Sequence, residues 1–328
     1  MRSWPGRSWP SCSWSFCSRP SRFWRGALLM AALSASLAVA EARESVVRIG
    51  AIDAVLHLPE GARQPIALLI AGSGPTDRDG NGPRLSPATL KKLAAALAAR
   101  GIASLRYDKR GAGPWKSEFG RLEGFRFSHF VDDAAALLRF VTEDGRFGSI
   151  AVIGHSEGGL VAMLAAQRVA VARVVLLTTA GRRQGDLLKA QLQRQLAPPA
   201  YAPIAAAIDA IMAGRIVDPP PPGLSIPAAM QPAFASAFAE DPIKPLTELG
   251  QPVLIVGGGR DRQVDRQDFE KLTAARPSAR QLWLPRMNHV LVEVGDDDDD
   301  LASYTQPERE LADGLVDAIA AFITADRQ

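Results

Sequence analysis

Cysteine is almost missing from this chain. Cys12 and Cys17 are the only two among 328 residues, and both lie in the first forty. With that stretch removed the remainder has no thiol, which excludes disulfide bonds, a cysteine nucleophile and thiolate metal sites. Surplus positive charge is missing as well. The first forty residues hold Arg2, Arg7, Arg19, Arg22 and Arg25 and no Lys, Asp or Glu. Without them Lys+Arg falls from 38 to 33 against 35 acidic residues, so the formal charge drops from +3 to about −2. A nucleic-acid partner needs a basic stripe that displaces counterions from phosphates, and the mature chain offers none. No repeat of solenoid length recurs. Histidine is sparse: His57, His129, His155 and His289 are all there is, so a general base has few places to be. The rest is ordinary, with 47% apolar and 22% charged residues, enough to bury a full core.

Residues 1–40 have the layout of an export signal. An arginine-bearing segment ends at Arg25, small and apolar residues follow from Gly26 to Ala40, and Ala38-Val39-Ala40 supplies a small-x-small cleavage site before Glu41. The apolar run is short of the roughly 20 residues of a comfortable membrane span. An uncleaved anchor is the other reading. Neither cysteine sits just after the run, which disfavours a lipoprotein anchor. The expectation is a periplasmic or secreted protein, cleaved after Ala40, with no stable membrane span.

Beyond Glu41 the chain alternates. Two short β-type runs, Val46 to Ile49 and Ala54 to Leu58, read as an antiparallel pair. Ile66 to Ile70 is continuously apolar, as in a strand buried on both faces of a parallel sheet. A helix is expected over Leu90 to Ala99, a strand over Ile102 to Tyr107, and a helix over Phe130 to Val141. Strand Ser149 to Ile153, helix Gly159 to Val169 and strand Val174 to Thr178 follow. Such alternation implies right-handed βαβ crossovers and a three-layer α/β core. It breaks over residues 181–249, which carry amphipathic helical stretches and the proline run Pro219 to Pro222, and resumes at Val253 to Val256. Helix Phe269 to Ala275, strand Gln281 to Leu284 and a last helix from about Glu308 complete the chain. The expected layout is a signal peptide over 1–40, a core over 41–180 and 250–328, and a helical cap over 181–249.

Gly154-His155-Ser156-Glu157-Gly158 fits G-x-S-x-G, and it follows an apolar strand and opens a helix, as a nucleophile elbow requires. A serine hydroxyl needs a base. Only His289 lies in a loop after the last expected strand, where the base belongs in the chain order Ser, Asp, His. Asp261 is the first carboxylate beyond the strand that ends at Val256, placed to accept the other imidazole N–H. Asp265 competes for that role but reads as a helix N-cap. An oxyanion needs preset amide donors. One is expected from Glu157, directly after the nucleophile, and the other from Ser73 in Gly72-Ser73-Gly74, with Gly74 as the alternative. Arg106 to Gly111 reads as a charged strand end that braces loops. The run Asp296 to Asp300 lacks EF-hand spacing and reads as a solvated loop. Gly257-Gly258-Gly259 lacks the Lys-Ser/Thr of a phosphate loop. No cofactor and no metal are expected.

Taken with Gly72-Ser73-Gly74-Pro75, Asp77 to Asn81, Arg106 to Gly111 and Met287-Asn288-His289, these features resemble the α/β-hydrolase superfamily. Within it they resemble a bacterial branch of carboxylesterases related to serine aminopeptidases. The resemblance spans nearly the whole mature chain. It implies an eight-stranded, mostly parallel sheet and ester hydrolysis through an acyl-enzyme. One departure stands out: Val290-Leu291-Val292-Glu293 follows the histidine, where such enzymes often carry a lysine. The function expected is an exported serine hydrolase acting on small-molecule esters of short or medium acyl chain. The alternatives are a peptidase on the same triad and a non-catalytic binding protein.

Overall fold

The computed structural model describes residues 43–61, 63–113 and 124–325. The expected signal segment and its cleavage site lie outside the described residues.

Eight strands form one sheet: β1 (Arg43–Ile49), β2 (Ile52–Leu58), β3 (Gln64–Ile70), β4 (Ala103–Tyr107), β5 (Phe147–His155), β6 (Arg173–Leu177), β7 (Val253–Gly258) and β8 (Arg280–Leu284). Their order is β1-β2-β4-β3-β5-β6-β7-β8. The β1–β2 and β2–β4 pairs are antiparallel and the other five are parallel. The expected eight-stranded, mostly parallel sheet is thus the one the chain forms.

The period-two alternation of a strand divides the core into two layers. On one face Ile66, Leu68, Val152 and Val174 pack under α2 (Ser128–Glu143) and α3 (Glu157–Ala166). On the other, Ala67, Leu69, Ile153 and Val175 pack under α1 (Thr89–Ala98) and α10 (Leu315–Thr324). Both faces are covered, which is why these strands read as unbroken apolar runs.

Between β6 and β7 the chain makes four helices, α4 (Gln184–Gln195), α5 (Pro198–Met212), α6 (Gln231–Phe238) and α7 (Ile243–Glu248). Helix α8 (Arg266–Ala275) links β7 to β8, and α9 (Asp297–Ser303) follows β8. No helix among the described residues is long and apolar enough to cross a membrane.

Two expectations need correction. The run Asp296 to Asp300 is not a solvated loop. Asp296 caps α9 by accepting from the Asp299 amide, and Asp300 is buried. The last helix starts at Leu315 rather than near Glu308. Residues 307–314 instead run through turns on either side of a Val292–Leu311 bridge, with Arg309 bonding Gln306 and the Glu293 carbonyl, and Gly314 at φ 76° then leads the chain into α10.

Candidate active site

A single residue, Ser156, separates β5 from α3. Its φ of 55° and ψ of −121° are strained for a residue with a side chain. Tight packing holds it there. A Cβ on Gly154 would lie 2.1 Å from the Gly158 carbonyl oxygen, and one on Gly158 would lie 2.4 Å from that of Ile70. Only glycine fits at either place. The Ser156 amide donates to the Leu177 carbonyl at 2.8 Å, tying the turn to β6. The side chain stands at the amino end of α3, where the helix dipole favours developing negative charge.

Asp261 and His289 arrive from the carboxyl ends of β7 and β8 and meet, with His289 Nδ1 2.8 Å from Asp261 Oδ2. Both side chains are buried. The second carboxylate oxygen, Oδ1, accepts the amides of Gln263 at 2.8 Å and Val264 at 2.9 Å, so the carboxylate cannot rotate away. With Nδ1–H donating to Asp261, the lone pair of the neutral ring sits on Nε2, the tautomer a base needs. Asp265 faces elsewhere: it caps α8 and pairs with Arg182.

His155 connects the elbow to this pair. Its Nε2–H donates to the His289 carbonyl at 2.7 Å, and the two rings lie 5.0 Å apart. Burial first, and proximity to His289 second, push its pKa down to about 3, so it works as a neutral strut. Ser156 Oγ and His289 are not hydrogen-bonded to each other; such contacts commonly tighten only when substrate binds.

Sequence reasoning missed the support behind the histidine. Asn288 Nδ2 donates to Asp300 Oδ1 and Ser303 Oγ, both at 2.8 Å. Its Oδ1 accepts the amides of Val290 at 3.2 Å and Val292 at 3.3 Å. Asn288 and Ser303 are fully buried and Asp300 nearly so. Burial raises the Asp300 pKa, against the opposing hydrogen bond from Asn288. Just past α9, the Tyr304 hydroxyl accepts from the Gln263 side chain at 2.9 Å, beside Asp261. One short acidic helix therefore grips both the Asp261 loop and the His289 loop. An acidic first turn after an Asp N-cap was the available sign of a helix there.

Two candidate oxyanion donors lie close to the serine. As the first residue of α3, Glu157 has an amide with no intrahelical partner. The loop carrying Ser73 follows β3, and a Cβ on Gly72 would lie 3.2 Å from the Ser156 Cβ. The Glu157 carboxylate is engaged at both oxygens, with Lys109 at 2.7 Å and with Gln184 of α4 at 2.9 Å.

Beside them opens a cavity of about 90 Å³, lined mainly by Phe125, Phe127, Phe130, Phe234 and Met230, with Gly74 and Glu157 at its edge. The motif residues farther out brace loops. Asp108 accepts the Arg78 amide at 2.8 Å and pairs with its guanidinium, and Arg106 pairs with Asp79 at 3.1 Å. Among the described residues no cluster of His, Cys, Asp and Glu could hold a metal ion.

The model of the alpha/beta hydrolase family matches residues 67–304. The chain is 24% identical to Esterase EstD of Thermotoga maritima over 254 residues, covering 76% of this chain and 60% of EstD, less than two thirds of that protein. Est1E of Butyrivibrio proteoclasticus with bound ferulic acid superposes at a TM-score of 0.53 with 15% identity, over 85% of this chain and 96% of Est1E. A puromycin-hydrolysing peptidase of Mycobacterium tuberculosis also reaches 0.53, with 17% identity over 86% of this chain and 39% of its own. These structural likenesses concern the fold.

Proposed function

Because the chain belongs to the alpha/beta hydrolase family, we propose that it is a serine hydrolase cleaving carboxylic esters through an acyl-enzyme, with Ser156 as nucleophile. The observation that carries this reading is the Asp261–His289 contact of 2.8 Å at the sheet end where Ser156 is displayed on a strained elbow.

His289 Nε2 takes the proton of Ser156 as Oγ attacks the ester carbonyl. Asp261 stabilises the imidazolium, and the amides of Glu157 and Ser73 receive the oxyanion. His289 then protonates the leaving alcohol, and in the second half it activates the water that releases the acid. No step calls for a cofactor or metal.

The cavity supports a short acyl chain. A cavity of about 150 Å³ accommodates benzene, so about 90 Å³ holds roughly four carbon atoms at the same packing. We take α4 to α7 as a cap, since Met230, Phe234 and Gln184 all line that cavity. The composition of residues 1–40 supports export to the periplasm or beyond. A peptidase that reads a free substrate amine needs an available carboxylate. Glu157 is spoken for by Lys109 and Gln184, which weighs toward esters.

The test compares the chain from Glu41 with its Ser156→Ala variant on p-nitrophenyl acetate, butyrate and octanoate. Turnover should fall by on the order of a million-fold in the variant, with acetate and butyrate preferred over octanoate. Activity that survives the substitution would remove Ser156 as nucleophile. A folded wild type inert on all three esters would favour the peptidase or binding readings.

A further inference from the structure

Lys109 is the least expected residue near the site. It is an ammonium on a residue only 1% exposed, two residues past the end of β4. An ammonium has three N–H donors, and here it has three partners: the Gly72 carbonyl at 2.7 Å, Glu157 Oε1 at 2.7 Å and the face of Phe130, with its centroid 4.2 Å away. Two of the three belong to the segments that supply the candidate oxyanion donors.

Taking an ion pair out of water costs several kcal/mol per ion, and an apolar isostere often serves stability as well or better. Stability alone therefore gives no reason for an ammonium here. A hydrophobic side chain could not hold a carbonyl. In a planar trans peptide the C=O of one residue and the N–H of the next point in opposite directions. Fixing the Gly72 oxygen toward Lys109 fixes the Ser73 N–H away from it. Gly72 itself is pressed against the nucleophile, since a Cβ there would lie 3.2 Å from the Ser156 Cβ.

Resting on the serine-hydrolase reading above, we propose that Lys109 is a positioning residue of the oxyanion hole. It aims the Ser73 amide by holding the Gly72 carbonyl, and it anchors through its carboxylate the residue that gives the second amide, Glu157. Gln184 extends the same chain of contacts into the insertion, so the donors are braced against α4 as well.

The experiment measures kcat, KM and the pH profile on p-nitrophenyl butyrate for the wild type, Lys109→Met and Lys109→Met/Glu157→Gln. Removing one oxyanion donor outright costs about 100- to 1000-fold in kcat. A misaimed donor should cost about 10- to 100-fold, with KM little changed and the pH profile unmoved. Affinity for a trifluoromethyl ketone, whose serine adduct carries an oxyanion, should fall in step with kcat/KM. The double variant buries no unpaired carboxylate, so it folds without that penalty. It still lacks the Gly72 contact and should stay as slow as the single variant. Recovery in the double variant, or wild-type kcat in Lys109→Met, would overturn the assignment and leave the serine reading standing. Turnover that survives Ser156→Ala would overturn both.

Discussion

Acidification should weaken the fold through His155, and its size can be worked out. In the unfolded chain the imidazole titrates near 6.5; in the fold burial holds it at about 3. The unfolded state therefore binds more protons between those values, and stability is lost as pH falls below 6.5. From pH 6.5 to 4.5 a single such group removes about 2 kcal/mol. Part of the residue still reaches solvent, so this is an upper bound. His57, also lowered by burial, acts in the same sense. Asp300, raised by burial, acts in the opposite sense. A difference measurement cancels both. Urea unfolding of the wild type and of His155→Gln, which keeps a donor for the His289 carbonyl, would be followed at half-unit steps from pH 7 to 4.5. The wild type should lose up to about 2 kcal/mol more than the variant over that range. Parallel curves would refute the argument and mean that His155 charges inside the fold at little cost.

Phe234→Ala opens one wall of the cavity and should move the acyl preference from butyrate toward octanoate. The ratio of kcat/KM values should shift by about tenfold or more, at the scale of 1–3 kcal/mol for each methylene accommodated. An unchanged chain-length profile would place the acyl group elsewhere. Asn288→Ala strands the buried Asp300 carboxylate and the amides of Val290 and Val292. It should cost about 3 kcal/mol in urea unfolding, with kcat reduced as the His289 loop loosens. A variant of wild-type stability and turnover would show that α9 does not hold the base.

The parts of the site that could be read from sequence are those whose chemistry is local. The elbow declares itself because a strand, a serine and two glycines must be contiguous for the turn to close. Asp261 and His289 could be located by their order along strands that are buried on both faces and so read as unbroken apolar runs. What escaped is whatever depends on partners distant in sequence. Lys109 meets Glu157 across 48 positions, and Gly72 across 37. Asn288 meets α9 across only 12 to 15 positions, yet five aspartates in a row mask the one that turns inward. The aromatic-lined cavity was invisible for the same reason. Phe125 and Phe130 flank the start of α2 while Phe234 lies in the insertion, and no pattern along the chain announces that they share a space.

The charged residues here are arranged so that little near the substrate is free to change sides. The Glu157 carboxylate is held by Lys109 and Gln184, that of Asp261 by two amides and His289, and Asp300 by Asn288. In each case the carboxylate fixes a loop or helix start that presents a backbone amide or the imidazole, and that of Glu157, which lines the aromatic cavity, is engaged at both oxygens. Preset dipoles need no reorganisation as charge develops, which is what makes an oxyanion site effective. The corollary is a division of labour along the chain. Residues of the sheet ends supply charge and direction, whereas α6 brings Met230, Ala233, Phe234 and Ala237, the last three within the helix and the first at its start, as apolar walls. Substitutions in α6 should therefore alter which ester is cleaved, and substitutions around Lys109 or Asn288 how fast any ester is cleaved.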